Sequence, residues 1–221
     1  KINLYGSIQI KNLLMAVLAS KMCGLNIKNI FRTINKIRSV DGRLEFVRKL
    51  PNQSRIFLDY AHTPEALKKA VISLQEHFNK KITLVFGCGG ERDKPKRKLM
   101  GKIADKLGDK VYITDDNPRN ENRNTIRKQI LSVIKKNKVK EIPDRKKAII
   151  YALKNSDPYE IILIAGKGHE SYQDFGKRKI LLSDKKVIKN FTPNRIGFKK
   201  YKLDLNNEII QKLTKSKKIN S

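Results

Sequence analysis

The feature that most constrains this chain is a recurrence. Short apolar runs at 82–86, 111–114 and 161–165 each pass through a polar or Gly-rich turn into sequence of helical period. Strands that alternate with helices in this way build a parallel sheet. A further β-rich run at 55–60 leads into Thr63-Pro64-Glu65, where Thr can cap a helix and Pro suits its first position. The spacing predicts helices over 64–78, 94–107, 123–137, 145–155 and 184–190, a minor strand near Glu141-Ile142, and a last edge strand at Leu181-Leu182. Ahead of the sheet, 13–38 reads as helical, with Leu14, Val17, Leu18 and Met22 at three-to-four spacing and Gly24 as a stop. The expected fold class is α/β, a mostly parallel sheet flanked by helices, with a Lys-rich appended tail over 191–221.

Composition narrows the functional classes. No apolar run approaches the roughly 20 residues of a membrane-spanning helix, so no membrane partner is expected. Cys23 and Cys88 form no CxxC pair and have no clustered histidines, which argues against a zinc site or a disulfide framework and for reduced thiols in a cytosol. The chain starts at Lys1 rather than Met and shows no leader pattern, from which a fragment or processed chain is expected. Fifty Lys and Arg against 21 Asp and Glu give a net charge of +29, a field that attracts any polyanion. The excess is dispersed Lys, however, whereas nucleic-acid modules gather Arg and aromatics on one face, so no specific nucleic-acid partner is expected.

In an open parallel sheet, ligands sit beyond the carboxyl ends of the strands, and four loops lie there. After 82–86 comes Gly87-Cys88-Gly89-Gly90-Glu91-Arg92, where glycines allow backbone amides to approach an anion and Arg92 offers a guanidinium fork for carboxylate or phosphate. After 111–114, Asp115-Asp116-Asn117-Pro118-Arg119 supplies an anion, an amide and a cation, and reads either as a helix-entry turn or as a recogniser for a zwitterion. After 161–165, Gly166-Lys167-Gly168-His169-Glu170 sets flexible backbone beside a cation, an imidazole and a carboxylate. The first loop holds Asp59 and His62, which capping leaves unexplained, with no Ser or Cys nucleophile placed to complete a triad. From the residues alone the reading stops at an α/β domain that binds a small charged ligand at its strand ends, with a stand-alone amino-acid or nucleotide binding module and a basic nucleic-acid binder as the other classes.

Taken in order, DYAHTP at 59–64, FGCGGERDKPKR at 86–97, DNPR at 116–119 and AGKGHE at 165–170 resemble the Mur ligase family. The likeness runs from about Gly6 to Ser183-Asp184 and includes Asn12-Leu13-Leu14 and Gly42-Arg43. It implies a cytoplasmic, monomeric, ATP- and Mg2+-dependent acid–amino-acid ligase of peptidoglycan precursor synthesis. Residues 1–50 would be the end of the central ATP-binding domain and 51–190 a Rossmann-like amino-acid-binding domain. The resemblance further implies meso-diaminopimelate as the amino acid, with Arg92, Asp116, Asn117, Pro118, Arg119, Gly166 and Glu170 as its contacts, and a UDP-N-acetylmuramoyl-dipeptide as the partner substrate held by other domains. Asn12, Arg43, Asp59 and His62 would lie near the nucleotide. The GxxxxGK[ST] phosphate loop does not occur in the chain, so neither catalytic nor metal-ligating residues are assigned within it and ligase activity is not expected of it alone.

The dispersed charge predicts weak DNA binding without sequence preference, fading steeply with salt. Fluorescence anisotropy with unrelated duplexes should give one common affinity that collapses at physiological salt; tight binding to one duplex that survives such salt would contradict this reading.

Overall fold

The computed structural model describes residues 4–193. Its centre is a six-stranded sheet in the order β1-β2-β6-β3-β4-β5. The strands are β1 Glu45–Lys49, β2 Arg55–Asp59, β3 Ile82–Phe86, β4 Lys110–Ile113, β5 Val139–Glu141 and β6 Ile161–Ala165. Every pairing is parallel except that of β1 with β2. The consecutive apolar residues of β2, β3 and β6 are explained by burial of both sheet faces. On one face Phe57, Leu84 and Leu163 join the buried side chains of α3 (Pro64–Phe78), α4 (Pro95–Leu107) and α5 (Arg123–Leu131). On the other, Ile56, Val85 and Ile162 meet α6 (Arg145–Lys154) and α7 (Asp184–Asn190).

Local chemistry starts the helices as expected. Thr63 caps α3 through Oγ1, which accepts from the Ala66 amide at 3.3 Å, with Pro64 in the first turn. Asn122 and Asp144 cap α5 and α6 in the same manner. From β2 the chain passes through α3 to β3 and leaves a gap that β6 fills last. The outgoing loop of β6 therefore stands between those of β2 and β3.

Several boundaries differ from expectation. α1 (Ser7–Met22) starts six residues ahead of 13, because Ile8 and Ile10 in its first part stand two apart and mark no helical period. α5 ends at Leu131 rather than near 137, where Ser132 Oγ donates to the Gln129 carbonyl at 3.0 Å and turns the chain. The expected edge strand at 181–182 is β8 (Lys179–Leu181), which pairs not with the main sheet but with β7 (Tyr172–Asp174) in a separate hairpin. β1 was not anticipated, and it lies before the boundary expected near residue 50. The tail expected over 191–221 falls, from 194 onward, outside the described residues. Among the described residues no helix is long and apolar enough to cross a membrane.

One buried ion pair ties the sheet's carboxyl end together. Arg97, fully buried in the first turn of α4, donates to both Glu121 oxygens at 2.6 and 2.7 Å, to Gln129 Oε1 at 2.8 Å and to the Gly89 carbonyl at 3.2 Å. Glu121 Oε2 also accepts from the Glu91 amide at 3.0 Å, so the loops after β3 and β4 share one anchor. These contacts, led by the Arg97 hydrogen bonds, hold the Glu121 carboxyl down at about 2, against an ordinary 4.5. A depressed carboxyl contributes stability that is fully present above the ordinary value and lost as pH falls toward the folded one. Arg97 is fully buried while Glu121 is partly exposed, so losing the carboxylate leaves a buried donor short of its partner at a cost of about 1 to 3 kcal/mol. Glu121→Gln should therefore lower the urea midpoint at neutral pH and flatten the loss of stability between about pH 4.5 and 2; an unchanged pH profile would contradict this account.

Candidate functional site

The loops leaving β2, β6, β3 and β4 enclose a cleft of about 450 Å³. Of the candidates read from the sequence, Arg92, Asp116, Asn117, Arg119, Gly166 and Glu170 line it, joined by His62 from the β2 loop. Two glycines make the walls possible. A Cβ on Gly90 would stand 1.9 Å from the Pro118 carbonyl oxygen, so no side chain fits between these two loops. Gly166 has φ +111° and would place a Cβ 2.6 Å from Asp116 Oδ2, a backbone conformation and an approach that suit glycine. Pro118 itself does not line the cleft; it forms the wall behind Gly90.

The polar floor is organised by a residue of the Gly166–Glu170 segment that no local pattern in the sequence singles out. Lys167 is fully buried, and its ammonium donates to Asn117 Oδ1 at 2.9 Å, to Glu170 Oε2 at 2.8 Å and to the Tyr172 carbonyl. Asn117 Nδ2 in turn donates to Glu170 Oε2 at 2.9 Å, while its Oδ1 also accepts from the Asp174 amide at 3.0 Å. Burial alone would push the Glu170 carboxyl up; the hydrogen bonds from Lys167 and Asn117 and the charges of Lys167 and Arg145 reverse this and hold it below its ordinary value. Glu170 Oε1 has no bonding partner among the described residues.

Asp116 lies beside a second buried cation. Arg145 binds Asp184 through Nε and Nη2 at 2.9 and 2.7 Å and donates from Nη2 to the Ala165 carbonyl at 3.1 Å. Its Nη1 stands 3.9 Å from Asp116 Oδ2 and makes no hydrogen bond. Burial raises the Asp116 carboxyl, with Arg145 and Lys167 opposing. The β7–β8 hairpin braces this loop from outside: Gln173 Nε2 donates to the Asp115 and Asp116 carbonyls at 3.1 and 2.8 Å.

The two arginines of the rim differ. Arg119 sits at φ +52°, and its Nη1 donates to the Gly90 carbonyl at 2.8 Å while Nε lies 3.8 Å from Asp174 Oδ2. This fixes the guanidinium while Nη2 keeps no protein partner among the described residues. Arg92 is exposed and makes no hydrogen bond or ion pair among them. The cleft thus presents guanidinium donors on one side and a carboxylate oxygen on the other, the pairing needed to hold a carboxylate and an ammonium together.

Of the residues expected near a nucleotide, Arg43, Asp59 and His62 come together around Tyr60, whose ring meets the His62 ring at 4.8 Å and carries the Arg43 guanidinium. Asp59 is buried and spends both oxygens on backbone amides, those of Leu44 and Ala61, each at 2.8 Å. Burial raises its carboxyl against those bonds. This is a loop-building role that joins β2 to the segment before β1. Arg43 is exposed and lies over the Tyr60 ring at 4.7 Å, with His169 stacked against the same ring at 5.5 Å. His62 Nδ1 lies 2.9 Å from the Tyr60 carbonyl, and Asn12 is exposed on α1.

With this geometry in place, the chain can be set beside known proteins. A model of the Mur ligase glutamate ligase domain matches residues 42–168. A UDP-N-acetylmuramoyl-L-alanyl-D-glutamate--2,6-diaminopimelate ligase from Buchnera aphidicola subsp. Acyrthosiphon pisum is 45% identical over 194 residues, 87% of this chain and 39% of that protein. The ligase of the same name from Rickettsia bellii is 46% identical over 184 residues, 82% of this chain and 38% of its own length. A solved structure of a ligase of that name superposes with a TM-score of 0.67 at 31% identity, over 86% of this chain and 39% of its own. A folylpolyglutamate synthase from Mycobacterium tuberculosis, at TM-score 0.60 and 20% identity over 75% of this chain and 38% of its own, shares the fold alone. The chain spans about 39% of the length of the first of these relatives.

Proposed function

The chain belongs to the Mur ligase family, and from that premise we propose that its cleft receives meso-diaminopimelate, the amino acid that a ligase of this type joins to UDP-N-acetylmuramoyl-L-alanyl-D-glutamate in peptidoglycan precursor synthesis. The observation that supports this reading most is the polarity of the cleft. The distal end of diaminopimelate is itself a zwitterion. Its carboxylate suits Arg119 Nη2 and Arg92, and its ammonium suits the open oxygen of Glu170, close to Asp116 and the Gly166 backbone. Holding that end orients the other amine for attack on an activated carboxyl, and such fixed orientation is worth several kcal/mol of barrier.

ATP and Mg2+ enter as what the family brings, supplying activation of the acceptor carboxyl. Neither is assigned to residues of this chain. The sequence has no GxxxxGK[ST] segment, and the described residues contain no group of three His, Cys, Asp or Glu side chains able to hold a metal. On this reading the amino-acid-binding domain starts ahead of β1, near residue 42 where the family match begins, rather than at 51, and runs to about 190, with the residues before it the end of the ATP-binding domain. The helical hairpin of α1 and α2 (Ile27–Ile34) supports the need for further protein: Leu14, Leu18, Met22, Leu25 and Phe31 are all more than half exposed, an apolar face that calls for a partner surface.

Lysine lacks the distal carboxylate and would bring a bare ammonium toward the rim arginines. Calorimetry on the chain should show binding of meso-diaminopimelate in clear preference to L-lysine. Arg119→Ala should weaken diaminopimelate binding by about 2 to 5 kcal/mol, as expected for one partner of a desolvated charge pair, and erase most of the preference. Equal binding of the two amino acids, or a preference that survives Arg119→Ala, would sink this assignment.

A further inference from the structure

We infer that Lys167 is a positioning residue that sets which way the Asn117–Glu170 pair faces, making Asn117 a hydrogen-bond donor and Glu170 an acceptor toward the cleft. The argument begins with the amide. Asn117 Oδ1 meets two donors, the Lys167 ammonium at 2.9 Å and the Asp174 amide at 3.0 Å. The reverse orientation would aim an NH2 at both, leaving a buried ammonium and a buried N–H facing a donor. Nδ2 is thereby turned toward Glu170, where one hydrogen goes to Oε2 at 2.9 Å and the other is left unused among the described residues.

Lys167 acts on Glu170 as well. Its ammonium takes the same oxygen, Oε2, at 2.8 Å, so two donors crowd one side of the carboxylate and Oε1 is left open. A fully buried ammonium on an otherwise apolar stem needs such partners, since an isolated buried charge is costly. The Tyr172 carbonyl completes its shell and locks the side chain to the β7–β8 hairpin. The charges that face Glu170 are Lys167 from its own loop, Asp116 from the β4 loop and Arg145 from α6. Arg92, Arg119, Lys96, Asp93 and His62 lie around the same cleft. Among the described residues, Lys167 is the only cation that touches the carboxylate. It therefore keeps Glu170 ionised and accepting, and it deepens the reading of the cleft as the seat of a zwitterion, on which its consequence for binding rests.

The test has one arm that does not depend on the ligand. With 13C-labelled glutamate, and the Glu170 signal assigned by its loss in Glu170→Gln, the carboxyl of Glu170 should titrate below its ordinary value in the intact chain. In Lys167→Met, which keeps the stem and removes the charge, its midpoint should move above that value. A residue that merely fills space would leave the midpoint where it was, and that result overturns the inference. Should Lys167→Met fail to fold, the intact chain still decides: a Glu170 midpoint at or above the ordinary value would also overturn it. The second arm is calorimetry with meso-diaminopimelate, where Lys167→Met should bind at least tenfold more weakly and lose further affinity as pH falls, because its Glu170 becomes protonated. If the intact chain does not bind the amino acid, the reading of the cleft fails while the titration still judges Lys167.

Discussion

The insertion of β6 between β2 and β3 is the constraint on which the rest of this structure depends. Because Ile161–Ala165 is apolar at every position, it can sit only where both faces are covered, and the centre of the sheet is that place. Arriving last in the chain, it brings Gly166 through Glu170 between the loops that leave β2 and β3, so residues far apart in sequence share one cleft. The order of the strands thus decides the composition of the site. A β6 at an edge would leave Lys167 in solvent and Asn117 without its partner.

Charge burial follows from that arrangement. Three cations, Arg97, Arg145 and Lys167, are fully buried at or near the carboxyl end of the sheet, each against a carboxylate: Glu121, Asp184 and Glu170. Buried ion pairs are poor sources of net stability but severe penalties when one partner is lost. Here they do what an apolar contact cannot, which is to fix loops in a single register. Arg97 joins the β3 and β4 loops, Arg145 joins α7 to the end of β6, and Lys167 joins the β6 loop to the β4 loop and the hairpin. Two buried nitrogens of the cluster make no hydrogen bond, Arg97 Nε and Arg145 Nη1, the latter 3.9 Å from Asp116 Oδ2.

Much of the fold was legible because its signals are local. The apolar run of β6, the Thr63-Pro64 cap and the turn glycines carry their meaning within a few residues. β1 was not legible: Glu-Phe-Val-Arg-Lys is short and half polar, and only its antiparallel partner β2 makes it a strand. The sequence also points to one strand-end cluster, since Arg92, Asp116, Asn117, Arg119, Gly166 and Glu170 line a single cleft. Their supports were not legible. Lys167 meets Asn117 across 50 positions, Arg145 meets Asp184 across 39, and Gln173 meets the Asp116 carbonyl across 57. Nothing in local spacing announces such pairs. Asp59 shows a second kind of support, since its two oxygens accept from the Leu44 and Ala61 amides and tie β2 to the segment before β1.

On the proposed reading, four strand-end loops form one cleft for the charged end of an amino acid. The most direct measurement is an amide chemical-shift titration of the 15N-labelled chain with meso-diaminopimelate. The account predicts saturable shifts confined to the loops around Arg92, Asn117 to Arg119 and Gly166 to Glu170, including the side-chain amide of Asn117. Shifts centred instead on α1 and α2, or on the Arg43–Tyr60 stack with the Asn117 amide unmoved, would contradict it.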